Sequence, residues 1–100
     1  MQRFNVIGRL TDNPKLKFLE NGKSVAVLPV AINEAGSAST YINFITYEKS
    51  AINCGEYLRK GNLVYIEAFL KNDNFIDDEK KKYGYKFYAT NIEFLSRNWK

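Results

Sequence analysis

A chain of 100 residues has room for one domain with one modest core, and hydrophobic residues at 45% against charged residues at 26% exclude a disordered or membrane-embedded class. Fifteen Lys and Arg against eleven Asp and Glu leave a net charge of +4, which suits an anionic partner, while the absence of histidine removes the usual base of nucleophilic catalysis and the commonest metal ligand. No enzyme, cofactor or metal site is expected, and with no apolar run near the roughly 20 residues of a bilayer span and no signal-peptide core after Met1, a cytoplasmic protein without membrane contact is expected instead.

Residues 2–11 alternate, with Phe4, Val6 and Leu10 on one face and Arg3, Asn5 and Arg9 on the other, which predicts a half-buried strand. Gly8 within it permits a bulge or a close backbone approach, the kind of feature that curls a sheet. Asp12-Asn13-Pro14 predicts a turn, and a second strand follows from Lys15 to about Glu20. Asn21-Gly22 tolerates the positive backbone angles of a tight hairpin, which leads into the apolar stretch Val25 to Ile32. Glu34 to Thr40 is a predicted loop. Tyr41 to Tyr47 is again a strand, with Ile42 and Phe44 on one side and Tyr41, Asn43, Ile45 and Tyr47 on the other.

From Lys49 to Lys60 the residues Ala51, Cys54 and Leu58 recur at helical spacing, with Arg59 and Lys60 in the last turn and Gly61 at the stop. The lone cysteine, Cys54, falls on the packed face of that helix and is expected to be a buried structural thiol. Val64, Ile66, Ala68 and Leu70 alternate with Tyr65, Glu67, Phe69 and Lys71 in a long strand ending near Phe75. Asp77-Asp78-Glu79-Lys80-Lys81-Lys82 is a predicted charged hairpin tip, more plausible as a solvated run than as a carboxylate site, and the last strand runs from about Tyr83 to Leu95. Strands dominate, and with residues 2–11 and Lys15 to Glu20 counted as one strand across the turn, a single helix between the third and fourth gives the order β-β-β-α-β-β. That order predicts one all-β domain over residues 1–100, a five-stranded OB-fold barrel.

Aromatic residues reach 15%, and several share strand faces with Lys, Arg or Asn. A nucleobase offers a flat π-face whatever its identity, so rings beside cations hold a single strand without reading its sequence. A ring in a small barrel is more often core than platform. Core positions are expected for Phe4, Phe44, Phe87 and Phe94, whereas the outward parity of Tyr41, Tyr47 and Phe75, beside Asn43 or Lys71 and Asp73, suits a binding surface.

The segments Phe4-Asn5-Val6-Ile7-Gly8-Arg9-Leu10-Thr11 with Asn13-Pro14, Phe18-Leu19-Glu20-Asn21-Gly22-Lys23-Ser24-Val25-Ala26, Tyr47-Glu48-Lys49-Ser50-Ala51 and Glu56-Tyr57-Leu58-Arg59-Lys60-Gly61-Asn62-Leu63-Val64-Tyr65-Ile66-Glu67 cover almost the whole chain. Together they resemble the bacterial and phage single-stranded DNA-binding protein family. The resemblance implies an OB fold assembled as a homotetramer, with a dimer as the alternative, and single-stranded DNA held in replication, recombination or repair. It implies stacking positions at Tyr41, Tyr47 and Phe75, a further aromatic position at Phe18, and basic positions at Arg3, Lys49, Arg59, Lys60 and Lys71.

Departures from the family pattern carry expectations of their own. The loop from Glu34 to Thr40 has no aromatic where many relatives carry a Trp, and Asn43, Asp73 and Asn74 stand where relatives are often basic, which implies weaker binding or a smaller footprint. Relatives commonly continue into a linker and an acidic tip that recruits replication and repair proteins, whereas this sequence ends at Asn98-Trp99-Lys100, so replication or recombination proteins stay open as partners but without the usual tip to recruit them. Two other readings stay open beside DNA protection. One is an OB-fold primosomal or recombination adaptor that works mainly through protein contacts, and the other is an RNA-binding OB domain.

Overall fold

The structure, a computed structural model, describes residues 3–33, 38–72 and 84–96 in full and the backbone of 75–77 and 80–82. Its elements in chain order are β1 (Phe4–Leu10), β2 (Lys15–Phe18), β3 (Ser24–Ile32), β4 (Thr40–Tyr47), α1 (Glu48–Tyr57), β5 (Leu63–Asn72), β6 (Phe75–Asp77), β7 (Lys80–Lys82) and β8 (Tyr85–Phe94). One sheet runs in the order β1-β5-β8-β4-β3-β2, and β1 also pairs with β3, so the sheet closes on itself. With β1 and β2 counted as one strand bent at Asp12–Pro14, this is a closed five-stranded barrel with its helix between the third and fourth strands, as the sequence predicts.

Closure happens at two places. At one, β1 leaves β5 and meets β3 through Arg9↔Ala31 and Leu10↔Val30. Gly8 sits just before this crossing, and a Cβ there would lie 2.6 Å from both Ala31 O and Val30 Cγ1, so close approach rather than a bulge is what the glycine provides. At the other, β4 and β8 pair in parallel through Phe44↔Phe87 and Ile45↔Tyr88.

Inside, strand alternation delivers Leu10, Ala26, Leu28, Val30, Phe44, Val64 and Ile66 to the core. Three rings meet there: Phe4 and Phe87 at 4.8 Å, Phe44 and Phe87 edge-to-face at 5.8 Å, and Phe4 and Phe44 at 6.3 Å. Phe94, expected in the core, is instead 40% exposed. It is the last residue of β8, and it borders an open depression with Lys49, Ser50 and Asn53 of α1.

The helix packs Ala51 and Cys54 onto one side of the barrel, against β3 and β4. Burial pushes the Cys54 thiol up to about 11, against a smaller opposing pull from a hydrogen bond with Ser50, so the thiol stays protonated and unreactive at neutral pH. The helix is shorter than the predicted Lys49 to Lys60. Leu58 turns extended (φ −89, ψ 144) so that its side chain can be buried, and its N–H makes the closing bond to Cys54 O at 3.0 Å. Arg59 still serves the helix end, because Nη1 donates to Gly55 O at 3.0 Å and to Leu58 O at 2.7 Å. Gly61 (φ +90) belongs to the following turn, in which Asn62 N donates to Arg59 O at 3.0 Å.

Two further boundaries differ from the sequence reading. The β2–β3 hairpin turns through five residues, 19–23, rather than tightly on Asn21-Gly22. Gly22 alone takes positive φ, its N–H donates to Leu19 O, and Asn21 Oδ1 accepts from Lys23 N at 3.0 Å. The expected long strand to Phe75 ends at Asn72, and β6 and β7 pair as a separate ribbon through Phe75↔Lys82, Ile76↔Lys81 and Asp77↔Lys80. Lys80 to Lys82 is therefore strand rather than tip. Residues 34–37, Asp73, Asn74, Asp78, Glu79, Tyr83 and Asn98 to Lys100, on which several expectations rest, lie outside the described residues.

Two glycine substitutions separate close approach from backbone angle. Gly8→Ala should cost about 2–3 kcal/mol through overpacking and lower Tm by roughly 10 °C or more. Gly22→Ala meets nothing within 4 Å and should cost only about 1 kcal/mol, for its φ of +84. Equal shifts in thermal denaturation would contradict this account of closure.

Candidate nucleic-acid interface

The outward residues of β4, β8 and β5 build the most aromatic surface of the described chain. Ile45 is opposite Tyr88, and Tyr88 is opposite Phe69, so neighbouring strands bring Tyr47, Tyr88 and Phe69 into one row. The Tyr47 and Tyr88 rings are 6.1 Å apart and 15° from parallel; those of Tyr88 and Phe69 are 5.5 Å apart and 22° from parallel. Together with Lys71 they line an open depression.

Local structure fixes where this row begins. Tyr47 ends β4 and α1 starts at the next residue, without a connecting loop; the corner is taken by Glu48 at φ +58, a left-handed conformation costly for a side-chain-bearing residue. Ser24 Oγ, buried in β3, donates to Glu48 O at 3.2 Å and holds the corner in place.

Cross-strand register extends the row at both ends. On one side Tyr47 is opposite Val25 and Val25 is opposite Lys17, with Ile45, Val27 and Lys15 aligned in the next rank, so Lys15 and Lys17 share the aromatic face. On the other side Arg3 joins Asn5, Glu67, Phe69 and Thr90 around a second depression. Thr90 also borders a third, with Lys49, Asn53 and Phe94. Toward the opposite barrel mouth, Tyr41, Asn43, Ile45, Tyr85 and Lys86 line a fourth, and Lys86 is in register with Lys71. A continuous track thus runs from Tyr41 and Tyr85, past the stacked rings, to Arg3 and Lys49.

The residues singled out from sequence fall into three groups. Tyr41, Tyr47, Lys71, Arg3 and Lys49 all lie along this track, and Tyr41 is 71% exposed. Phe18 is 68% exposed but pairs with buried Ser24, which gives it the parity opposite to Tyr47, on the end of the β2–β3 hairpin. Arg59 and Lys60 lie in the turn before β5, where the Arg59 guanidinium covers helix carbonyls and Lys60 N donates to Asn13 Oδ1 at 2.8 Å. Roughly 25 Å of strand separates that turn from Lys71. The Phe75 side chain lies outside the described residues.

Sequence reasoning missed Phe69, Tyr88, Tyr85, Lys86, Lys15 and Lys17. The outward parity of Phe69 beside Lys71 was a usable signal; the others need pairing register, which alternation within one strand does not supply.

A closed five-stranded barrel with one helix and an open face of rings and cations defines an OB-fold protein. The chain belongs to the single-strand binding protein family, whose pattern it matches over residues 1–95. It is 32% identical to a single-stranded DNA-binding protein of Bacillus cereus, over 95% of this chain and 60% of that protein. A Bacillus anthracis protein of the same name is 32% identical over 95% and 59%. Single-stranded DNA-binding protein 1 of Staphylococcus aureus is 30% identical over 95% and 65%. The chain thus spans about 60% of the length of these relatives.

The ring row has a titration signature. Burial raises the pKa of the Tyr47 phenol above its ordinary 10.0, the neighbouring Tyr88 phenol and a hydrogen bond with it add to the rise, and Lys86 pulls weakly the other way. Because folding raises this pKa, the associated stability is fully present below pH 10 and is lost as pH climbs through the folded value. Tyr88→Phe should therefore bring the phenolate absorbance transition of Tyr47 down toward 10; an unmoved transition would show that the two phenols are not coupled.

Proposed function

We propose that this chain binds single-stranded DNA with little regard to sequence and shields it during replication, recombination or repair in the cytoplasm. The observation that carries the reading is the Tyr47–Tyr88–Phe69 row, three nearly parallel rings on the outer face of a closed barrel with Lys71, Arg3 and Lys17 around them. Bases lie against the rings while the cations neutralise phosphates and release their counterions. The names of the Bacillus and Staphylococcus relatives support the same partner. Of the nine residues named from sequence, Arg3, Tyr41, Tyr47, Lys49 and Lys71 contribute to the main track, Phe18 adds a ring at its margin, Arg59 and Lys60 lie farther along the path of a wrapped strand, and Phe75 is kept as a stacking position on the family resemblance alone. The chain acts as a binder rather than a catalyst.

Titration with poly-dT and with duplex DNA at two salt concentrations tests this. Tight binding to poly-dT, weak binding to duplex and a loss of affinity with salt are expected, with log K falling by about 0.7 per phosphate contact for each decade of salt. Equal affinity for both, or no binding at low salt, removes the reading. Alanine at Tyr47, Tyr88 or Phe69 should each cost about 1–3 kcal/mol, a value known for proteins of this family rather than one obtained from this chain.

The assembly we propose is a homotetramer, with a dimer as the alternative. Among the described residues β3 reaches β1 only at Arg9 and Leu10, which leaves one backbone edge of β1 from Phe4 to Ile7 open for a strand of a second copy, beside the exposed side chain of Ile7. Light scattering at micromolar concentration should report a multiple of the chain mass, and a monomer would refute it.

A further inference from the structure

Beside the ring row runs a second rank that contains no rings. Asn5, Glu67 and Asn91 are directly opposite one another across β1, β5 and β8, one outward step along each strand from the aromatic rank. Glu67 and Phe69 are same-face neighbours on β5, about 6.6–7 Å apart. Between them lies the open depression shared by Arg3, Asn5, Glu67, Phe69 and Thr90, about 330 Å³ in volume. That is near the lower end of the roughly 300–1,000 Å³ typical of small-ligand sites.

The Glu67 carboxylate is held in place. Asn91 Nδ2 donates to its Oε1 at 3.0 Å, and Thr90 Oγ1 donates to its backbone O at 3.1 Å. Both contacts depend on a bulge. Ala68 pairs with Ala89 and Glu67 pairs with Asn91, so Thr90 is the extra residue and the side-chain parity of β8 shifts by one. Without that shift Asn91 would point into the barrel. A carboxylate offers about four lone-pair sites and donates nothing, so the bond from Asn91 leaves it able to accept more.

We infer that Glu67, braced by Asn91 at the Thr90 bulge, reads the edge of the base stacked on Phe69 and favours bases that present an exocyclic amino group over thymine. Cytosine offers N4–H2 where thymine offers O4, and an oxygen acceptor facing a carboxylate gains nothing and repels it. The binding face is therefore sequence-tolerant along most of its track and selective at one position. This inference rests on the single-stranded DNA reading, and its test separates the two.

The experiment measures the affinity of the full chain for oligo-dC and oligo-dT of equal length, for the native sequence and for Glu67→Gln. Glutamine keeps the shape and still accepts from Asn91, but it adds a donor that can serve thymine O4. Removing a negative charge beside phosphates strengthens binding to every oligonucleotide, so the dC-to-dT affinity ratio is diagnostic and the absolute affinity is not. The ratio should fall by about three- to tenfold in Glu67→Gln. A thymine oligomer with a single cytosine moved along it should show the preference at one place only. An unchanged ratio, with or without a uniform gain in affinity, overturns the inference and leaves the DNA-binding reading standing. Failure of the native chain to bind either oligomer overturns both.

Discussion

The outer face depends on a short parallel seam between β4 and β8. These strands are distant in sequence, and their pairing of Phe44 with Phe87 and Ile45 with Tyr88 decides which of two adjacent aromatic residues goes inside. Phe87 joins Phe4 and Phe44 in the core, and Tyr88 takes the place between Tyr47 and Phe69 outside. A slip of one residue would exchange them, burying a phenol and exposing a phenylalanine. The inner ring cluster thus holds the outer one in register.

The positive charge is not spread evenly in its use. Arg59 lies close to the carbonyl end of α1 and bonds Gly55 O within it and Leu58 O just beyond it, and Arg9 Nη1 donates to Gly61 O at 3.0 Å. Arg9 thus ties the α1–β5 turn to the barrel, and Arg59 ties it to the end of the helix. Lys15, Lys17 and Lys71 stand beside outward-facing aromatic or apolar residues. The net charge alone does not distinguish these placements, because it counts a helix cap and an outward-facing lysine alike.

Alternation within single strands made the barrel legible: the faces of Phe4 to Leu10, Tyr41 to Tyr47 and Val64 to Leu70 all emerge as read, and so does the buried thiol on the helix. What sequence did not show was register between strands. A two-residue turn on Asn21-Gly22 would set Lys17 opposite inward-facing Ala26; the five-residue loop sets it opposite Val25, on the aromatic face. The Thr90 bulge hides Asn91 in the same way, because period-two counting through β8 places it inside. Phe94 is misjudged for a different reason: hydrophobicity gives no measure of how far a strand end projects beyond the layer that covers it.

The three outer rings already lie against one another without any ligand. Their side-chain freedom is therefore lost when the chain folds and not when a ligand arrives, which makes the face preorganised: the entropic cost of ordering it belongs to folding. The same economy ties recognition to integrity. Whatever loosens the Glu48 corner or the seam behind Tyr88 would disperse the rings into separate rotamers, and the surface would lose its grip well before the barrel lost its shape.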